Sequence, residues 1–108
     1  MARALKVLGQ SAPLATTLTT LYTVPAATST VCSTILVCNA GATGSFRISV
    51  QPAGAAINAK HYIAFDHPLQ ANGIVEMTCG ITLATTDLIS VYGSHANFAF
   101  TACGSEVT

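Results

Sequence analysis

Apolar and polar residues alternate with a period of two along most of the chain, and this pattern predicts strands. Phe46, Ile48 and Val50 alternate with Arg47, Ser49 and Gln51, as in an antiparallel strand with one buried face. Phe98, Phe100 and Ala102 alternate with Asn97, Ala99 and Thr101 in the same way. Leu18 to Val24 is rich in β-branched Thr and places Leu18, Tyr22 and Val24 on one face. Thr30 to Cys38 is apolar on both faces, Val31, Ile35 and Val37 against Cys32, Leu36 and Cys38, which predicts a central strand. His61–Phe65, Ile74–Ile81 and Asp87–Tyr92 complete the set, with a further short strand over Ala4–Leu8.

Turn residues separate these segments at Pro25-Ala26-Ala27, at 39–44, at Pro52-Ala53-Gly54, and at His67-Pro68, Asn72-Gly73 and Gly93-Ser94. The links are too short for parallel crossovers, so neighbouring strands are expected to be antiparallel. The longest link, Pro52 to Ala59, has room for one helical turn or an extended arm. No long stretch has a helical period. The expected fold is all-β: a single antiparallel sandwich or barrel of seven to eight strands, a jelly roll being one topology. Residues 1–10 are read as an N-terminal arm or short edge strand, and 11–108 as the sandwich domain.

Composition then narrows the function. The 108 residues are 51% apolar and 7% charged, and four bases (Arg3, Lys6, Arg47, Lys60) balance four acids (Asp66, Glu76, Asp87, Glu106). Nucleic-acid binding needs a basic stripe, which is absent. Residues 7–46 carry no charge, yet ten Ser or Thr and Pro25 between Ala15 and Cys38 argue against a membrane span. Arg3 and Lys6 resemble the start of an export signal, but Gly9, Gln10 and Ser11 cut the apolar run short. A soluble protein made in a cytoplasm is expected. So little charge also removes the usual protection against self-association. The Thr-rich strand from Thr16 to Val24 becomes an assembly interface if it lies at a sheet edge; the other reading makes it a central strand.

Candidate chemistry is sparse. Cys32, Cys38, Cys79 and Cys103 form no CxxC pair. On one continuous strand Cys32 and Cys38 share a face about 20 Å apart, too far for a disulfide. Pairing of either with Cys79 or Cys103 stays open, and free buried thiols are expected. Ser94-His95 lacks the setting of a nucleophile and reads as a polar loop. Asp66 and Asp87 read as turn caps at strand ends. His61, on the parity of Ile63 and Phe65, reads as a packed histidine. His61, His67 and His95 lack zinc-ligand spacing. Gly41-Ala42-Thr43-Gly44 is no phosphate loop. No catalytic, cofactor-binding or metal-binding residue is assigned. With no Trp, and most Phe and Tyr at core-facing parities, a sugar platform is not expected.

The series 21–26 (LYTVPA), 33–39 (STILVCN), 46–50 (FRISV), 52–56 (PAGAA), 60–63 (KHYI), 80–83 (GITL), Thr86-Asp87, Val91-Tyr92 and 103–108 (CGSEVT) resembles small virion structural proteins of tailed bacteriophages, cyanophages among them. The resemblance implies a non-enzymatic assembly role without catalytic residues or cofactors. The expected function is capsid decoration, as a cement protein at major-capsid-protein junctions. Its partners would be the major capsid protein and copies of itself, as a homotrimer, with no nucleic acid and no membrane. Its location would be the virion, after synthesis in the bacterial host cytoplasm. Ala2 to Gln10 would be an arm ordering on a neighbour. The alternative is a tail, baseplate, collar or fibre component; a host- or glycan-binding module ranks third.

Overall fold

The computed structural model describes residues 2–108; Met1, the first residue of the expected 1–10 segment, lies outside them. Eight strands form: β1 (Arg3–Ser11), β2 (Thr19–Thr23), β3 (Ser29–Asn39), β4 (Gly44–Gln51), β5 (Tyr62–Leu69), β6 (Ile74–Leu83), β7 (Leu88–Gly93) and β8 (Phe98–Val107). Between β4 and β5 the chain makes two short 3-10 turns, Pro52–Gly54 and Ala59–His61. Sheet A has the order β1-β8-β3-β6 and sheet B the order β2-β7-β4-β5. Every pairing is antiparallel.

Strand partners pair from the outside inward: β1 with β8, β2 with β7, β3 with β6, β4 with β5. The chain is folded double about the β4–β5 link and rolled into two sheets, which is a jelly roll. Short links therefore do not make consecutive strands neighbours, except β4 and β5. The other links step between the sheets.

The core lies between the sheets. Ile35, Val37, Phe98, Phe100 and Ala102 of sheet A meet Phe46, Ile48, Ile89 and Val91 of sheet B, all at or below 1% exposure. Phe46 sits at its centre, with ring centroids 6.2 Å from Phe98 and 6.0 Å from Phe100.

Bulges decide which residues enter this core. β3 is central in its sheet, as its two-sided apolarity predicts. Its parity inverts, because the register shifts between Cys32 and Thr34 against both neighbours. Cys32, Ile35 and Val37 face inward, while Val31 and Cys38 are exposed. Cys32 and Cys38 thus lie on opposite faces, not the same one. β1 shifts between Val7 and Gly9 at the same level. β2 shifts between Thr20 and Tyr22, so Leu21 and Tyr22 are both buried and Leu18 is outside. On β6, Gly80 takes a φ of +56° at its shift, a conformation glycine adopts without steric cost.

β8 runs on to Val107, beyond the alternating residues 97–102. Two further expectations are corrected. His67-Pro68 is no turn but lies inside β5, an edge strand where the missing proline N–H is tolerated. β2 does end its sheet, yet its edge is not free. β1 crosses onto it so closely that a Cβ on Gly9 would collide with the Leu21 carbonyl.

Candidate assembly surface

The residues with conventional chemistry are occupied structurally. His61 is buried, and its Nδ1 accepts from Asn58 N at 3.0 Å, closing a capping box; Ile63 and Phe65, expected on its face, are exposed. His67 packs on Phe46 with centroids 5.2 Å apart. His95 stacks on Phe98, its Nε2 lies 2.7 Å from Ala42 O, and its Nδ1 accepts from Asn97 N. Ser94 Oγ accepts from Ser45 N. Asp87 caps its turn, taking Ala53 N and Ala84 N at 2.8 Å each. Asp66 is no strand-end cap: it sits inside β5 with a φ of +50° and takes both oxygens to Arg47, at 2.6 Å and 3.3 Å. Among the described residues, no group of three His, Cys, Asp or Glu could hold a metal ion.

Cys32, Cys38, Cys79 and Cys103 are free thiols. Cys79 Sγ donates to Cys32 O at 3.7 Å. Burial, then neighbouring Cys79, pushes the Cys32 thiol up to about 12 from its ordinary 9.0. Near the end of the sandwich, Tyr22 OH donates to Glu106 Oε2 and lies 2.8 Å from Thr30 Oγ1, while Lys6 Nζ donates to Glu106 Oε1 at 3.0 Å. Burial and this carboxylate push the Tyr22 phenol up to about 12. The hydrogen bonds from Tyr22 and Lys6 hold Glu106 below its ordinary value.

Both raised groups favour their neutral forms in the folded chain. Their stabilisation is complete below pH 9 and drains as pH climbs from 9 toward 12. Glu106 has the opposite sense: its contribution is present above pH 4.5 and is lost as pH falls below it. Thermal melts should therefore show Tm falling above pH 9, with a shallower alkaline limb in Cys32→Ala. Glu106→Gln should flatten the acid limb. Unchanged limbs in both variants would refute these assignments.

The two outer faces differ. On sheet B, the 52–61 segment folds over one end: Gln51 Nε2 donates to Ala55 O, and Ser90 Oγ donates to Gln51 Oε1. Ser49, Gln51 and Ser90 are buried beneath it. Beside it, Arg47 lies between two aromatic rings, with Cζ 4.2 Å from the centroid of Phe65 and 4.3 Å from that of Tyr92. Tyr62 meets Phe65 edge to face at 4.8 Å. Tyr22, Phe46, Phe98 and Phe100 are core-facing as expected, but these three rings form an outer cluster. Two register shifts in the β4–β5 pairing, at 62–64 and 64–67, place Phe65 there against simple alternation.

Sheet A has no such cover. Its outer rows follow from the register: Leu5, Ser105, Val31 and Thr82 in one row, Val7, Cys103, Thr34 and Thr78 in the next. Leu36, Cys38, Ala99 and Ile74 continue the face along the strands. Leu5 is 77% exposed and Ile74 73%. The central strands β3 and β8 contribute no charge to this face: β3 has none, and Glu106 of β8 turns inward to Tyr22. Arg3 and Glu76 stand on the two outermost strands. A shallow depression of about 350 Å³ lies among Arg3, Leu5, Val31, Ser33 and Cys103. Four strands at about 4.8 Å spacing and roughly 30 Å length give a face on the order of 600 Å².

Comparison with protein-family models, curated proteins and solved structures returned no match. No helix among the described residues is long and apolar enough to cross a membrane.

Proposed function

We propose that this chain is a non-enzymatic structural protein of a phage particle, a head decoration protein that lays the outer face of sheet A on major-capsid-protein junctions. The observation that carries the reading is that uncovered face, apolar and hydroxylic, without charge on its two central strands. A solvent-facing sheet normally carries polar, charged residues on its wet side. The whole face, charged only along its outermost strands, approaches the roughly 800 Å² per partner of a stable interface. The sequence resemblance to virion proteins and the jelly-roll architecture, which viral coats also use, support the same reading by analogy. Three copies around a capsid three-fold would supply closed symmetry.

The test uses heads of the encoding phage stripped of this chain and titrated with labelled protein. Val31→Lys places an ammonium group on a central strand of the face, where contact would bury it unpaired. Its Tm should stay within a few degrees of the parent, while binding to heads falls at least about tenfold. Unaltered binding of Val31→Lys would contradict the reading. Quantitative mass spectrometry of whole virions separates head from tail: decoration requires hundreds of copies, and tens or fewer would favour the tail.

A further inference from the structure

We infer that the cleft beside the outer aromatic cluster of sheet B is a binding site for a neutral oligosaccharide, an activity separate from assembly through sheet A. The cleft is lined by Ile57, Asn58, Ala59, Tyr62 and Phe65 and holds about 550 Å³, within the roughly 300–1,000 Å³ of small-molecule sites. Its floor joins two aromatic rings, and Phe65 is 57% exposed in a chain that buries its other three phenylalanines. An exposed ring of that size is retained at a cost in hydration. Sugar rings present a C–H face that packs on aromatic carbon and a rim of hydroxyls that needs planar polar partners.

Asn58 lines the cleft, and the Arg47–Asp66 pair adjoins it through Phe65. Asp66 follows Phe65 directly, and its carboxylate, half exposed, is fixed by the two bonds from Arg47. Arg47 is in turn clamped by Phe65 and Tyr92. Carboxylate, guanidinium and ring thus form one preorganised unit, and little side-chain entropy remains to be lost on binding. Asn58 adds an amide, its oxygen only weakly engaged by Lys60 N at 3.5 Å.

Charge and backbone select the ligand class. Arg47 and Asp66 neutralise each other, which leaves Lys60 as the one unpaired charge in the lining segment among the described residues, too little to select a polyanion. An extended peptide adding to the β5 edge meets Asp66 in a left-handed conformation and Pro68 without an N–H, both of which break a pairing ladder. A neutral polyhydroxylated ligand fits what remains.

The experiment probes the full chain with an array of neutral oligosaccharides built on glucose, galactose, mannose and N-acetylglucosamine, with proline-rich peptides on the same surface. Affinities follow by titration calorimetry. At least one oligosaccharide should bind, and Phe65→Ala should weaken it tenfold or more. Phe65→Leu, which keeps the apolar bulk without the ring, should lose binding nearly as far. Val31→Lys should bind like the parent, which keeps this result independent of capsid association. Absence of binding at about 10 mM oligosaccharide, unchanged affinity in Phe65→Leu, or capture of the peptides alone would overturn the proposal.

Discussion

Phe46→Ala is expected to destabilise the fold by about 3–5 kcal/mol, the range for deleting a fully buried aromatic ring. Its ring lies 6.2 Å from Phe98 and 6.0 Å from Phe100 of sheet A and 5.2 Å from His67 of its own sheet, centroid to centroid. Truncation leaves a cavity that two sheets, held by their ladders, close only in part. Against a total of roughly 5–15 kcal/mol for a domain of this kind, that loss brings the protein close to its unfolding threshold. Urea denaturation followed by circular dichroism measures it as a drop in midpoint with little change in slope. Phe46→Leu, which fills most of the space, should cost about 1–2 kcal/mol. A loss below about 1 kcal/mol in the alanine variant would mean that the sheets are not locked through this ring.

Asn39→Ala comes next, at about 2–4 kcal/mol from the loss of several buried hydrogen bonds. The side chain is fully buried. Its Nδ2 donates toward Ala42 O at 2.8 Å, Leu69 O at 3.1 Å and Gln70 O at 3.1 Å, and its Oδ1 accepts from Gly41 N at 3.0 Å. One amide thus fastens the β3–β4 link to the end of β5, tying sheet A to sheet B where the chain steps between them. Asn39→Asp distinguishes hydrogen bonding from volume. A carboxylate has no proton to give three carbonyls, so it should destabilise at neutral pH at least as much as alanine does. Recovery should follow as acid protonates it. If aspartate is tolerated at pH 7, the amide is not the fastening.

How much of this was legible in the sequence depends on where the period of two survives. Phe46, Ile48, Phe98 and Phe100 keep strict alternation, and reading them as core was sound. β3 was recognisable as central because an edge strand has no need of apolar residues on both sides. What alternation cannot carry is a bulge. One extra residue near Ser33 sends Cys32 inward and Cys38 outward, and nothing in Cys-Ser-Thr marks it. Gly80, alone inside the pattern of Ile74–Ile81, was the available signal, since an isolated glycine in a strand often marks an irregularity.

Strand order was out of reach for a different reason. Short links constrain direction, while the choice between pairing with a sequence neighbour and stepping to the other sheet rests on contacts nearly a chain length apart, such as β1 with β8. The candidate surface was half visible. Scarcity of charge over residues 7–46 pointed to association, and β3, in the middle of the uncovered face, lies in that stretch. The Thr-rich segment, β2, is an edge that β1 covers. Phe65 escapes alternation because two shifts in β5 carry it off the parity of His61, and Asp66 because the strand runs on past it to Leu69.

The central claim, that the outer face of sheet A is the assembly surface, is tested most directly by hydroxyl-radical footprinting of the chain free and on the phage particle. Leu5, Val31, Leu36 and Ile74 should become protected on the particle, while Ile63 and Phe65 on sheet B keep their free reactivity. Protection confined to sheet B, or reactivity at Leu5 and Val31 that does not change on assembly, would contradict the account.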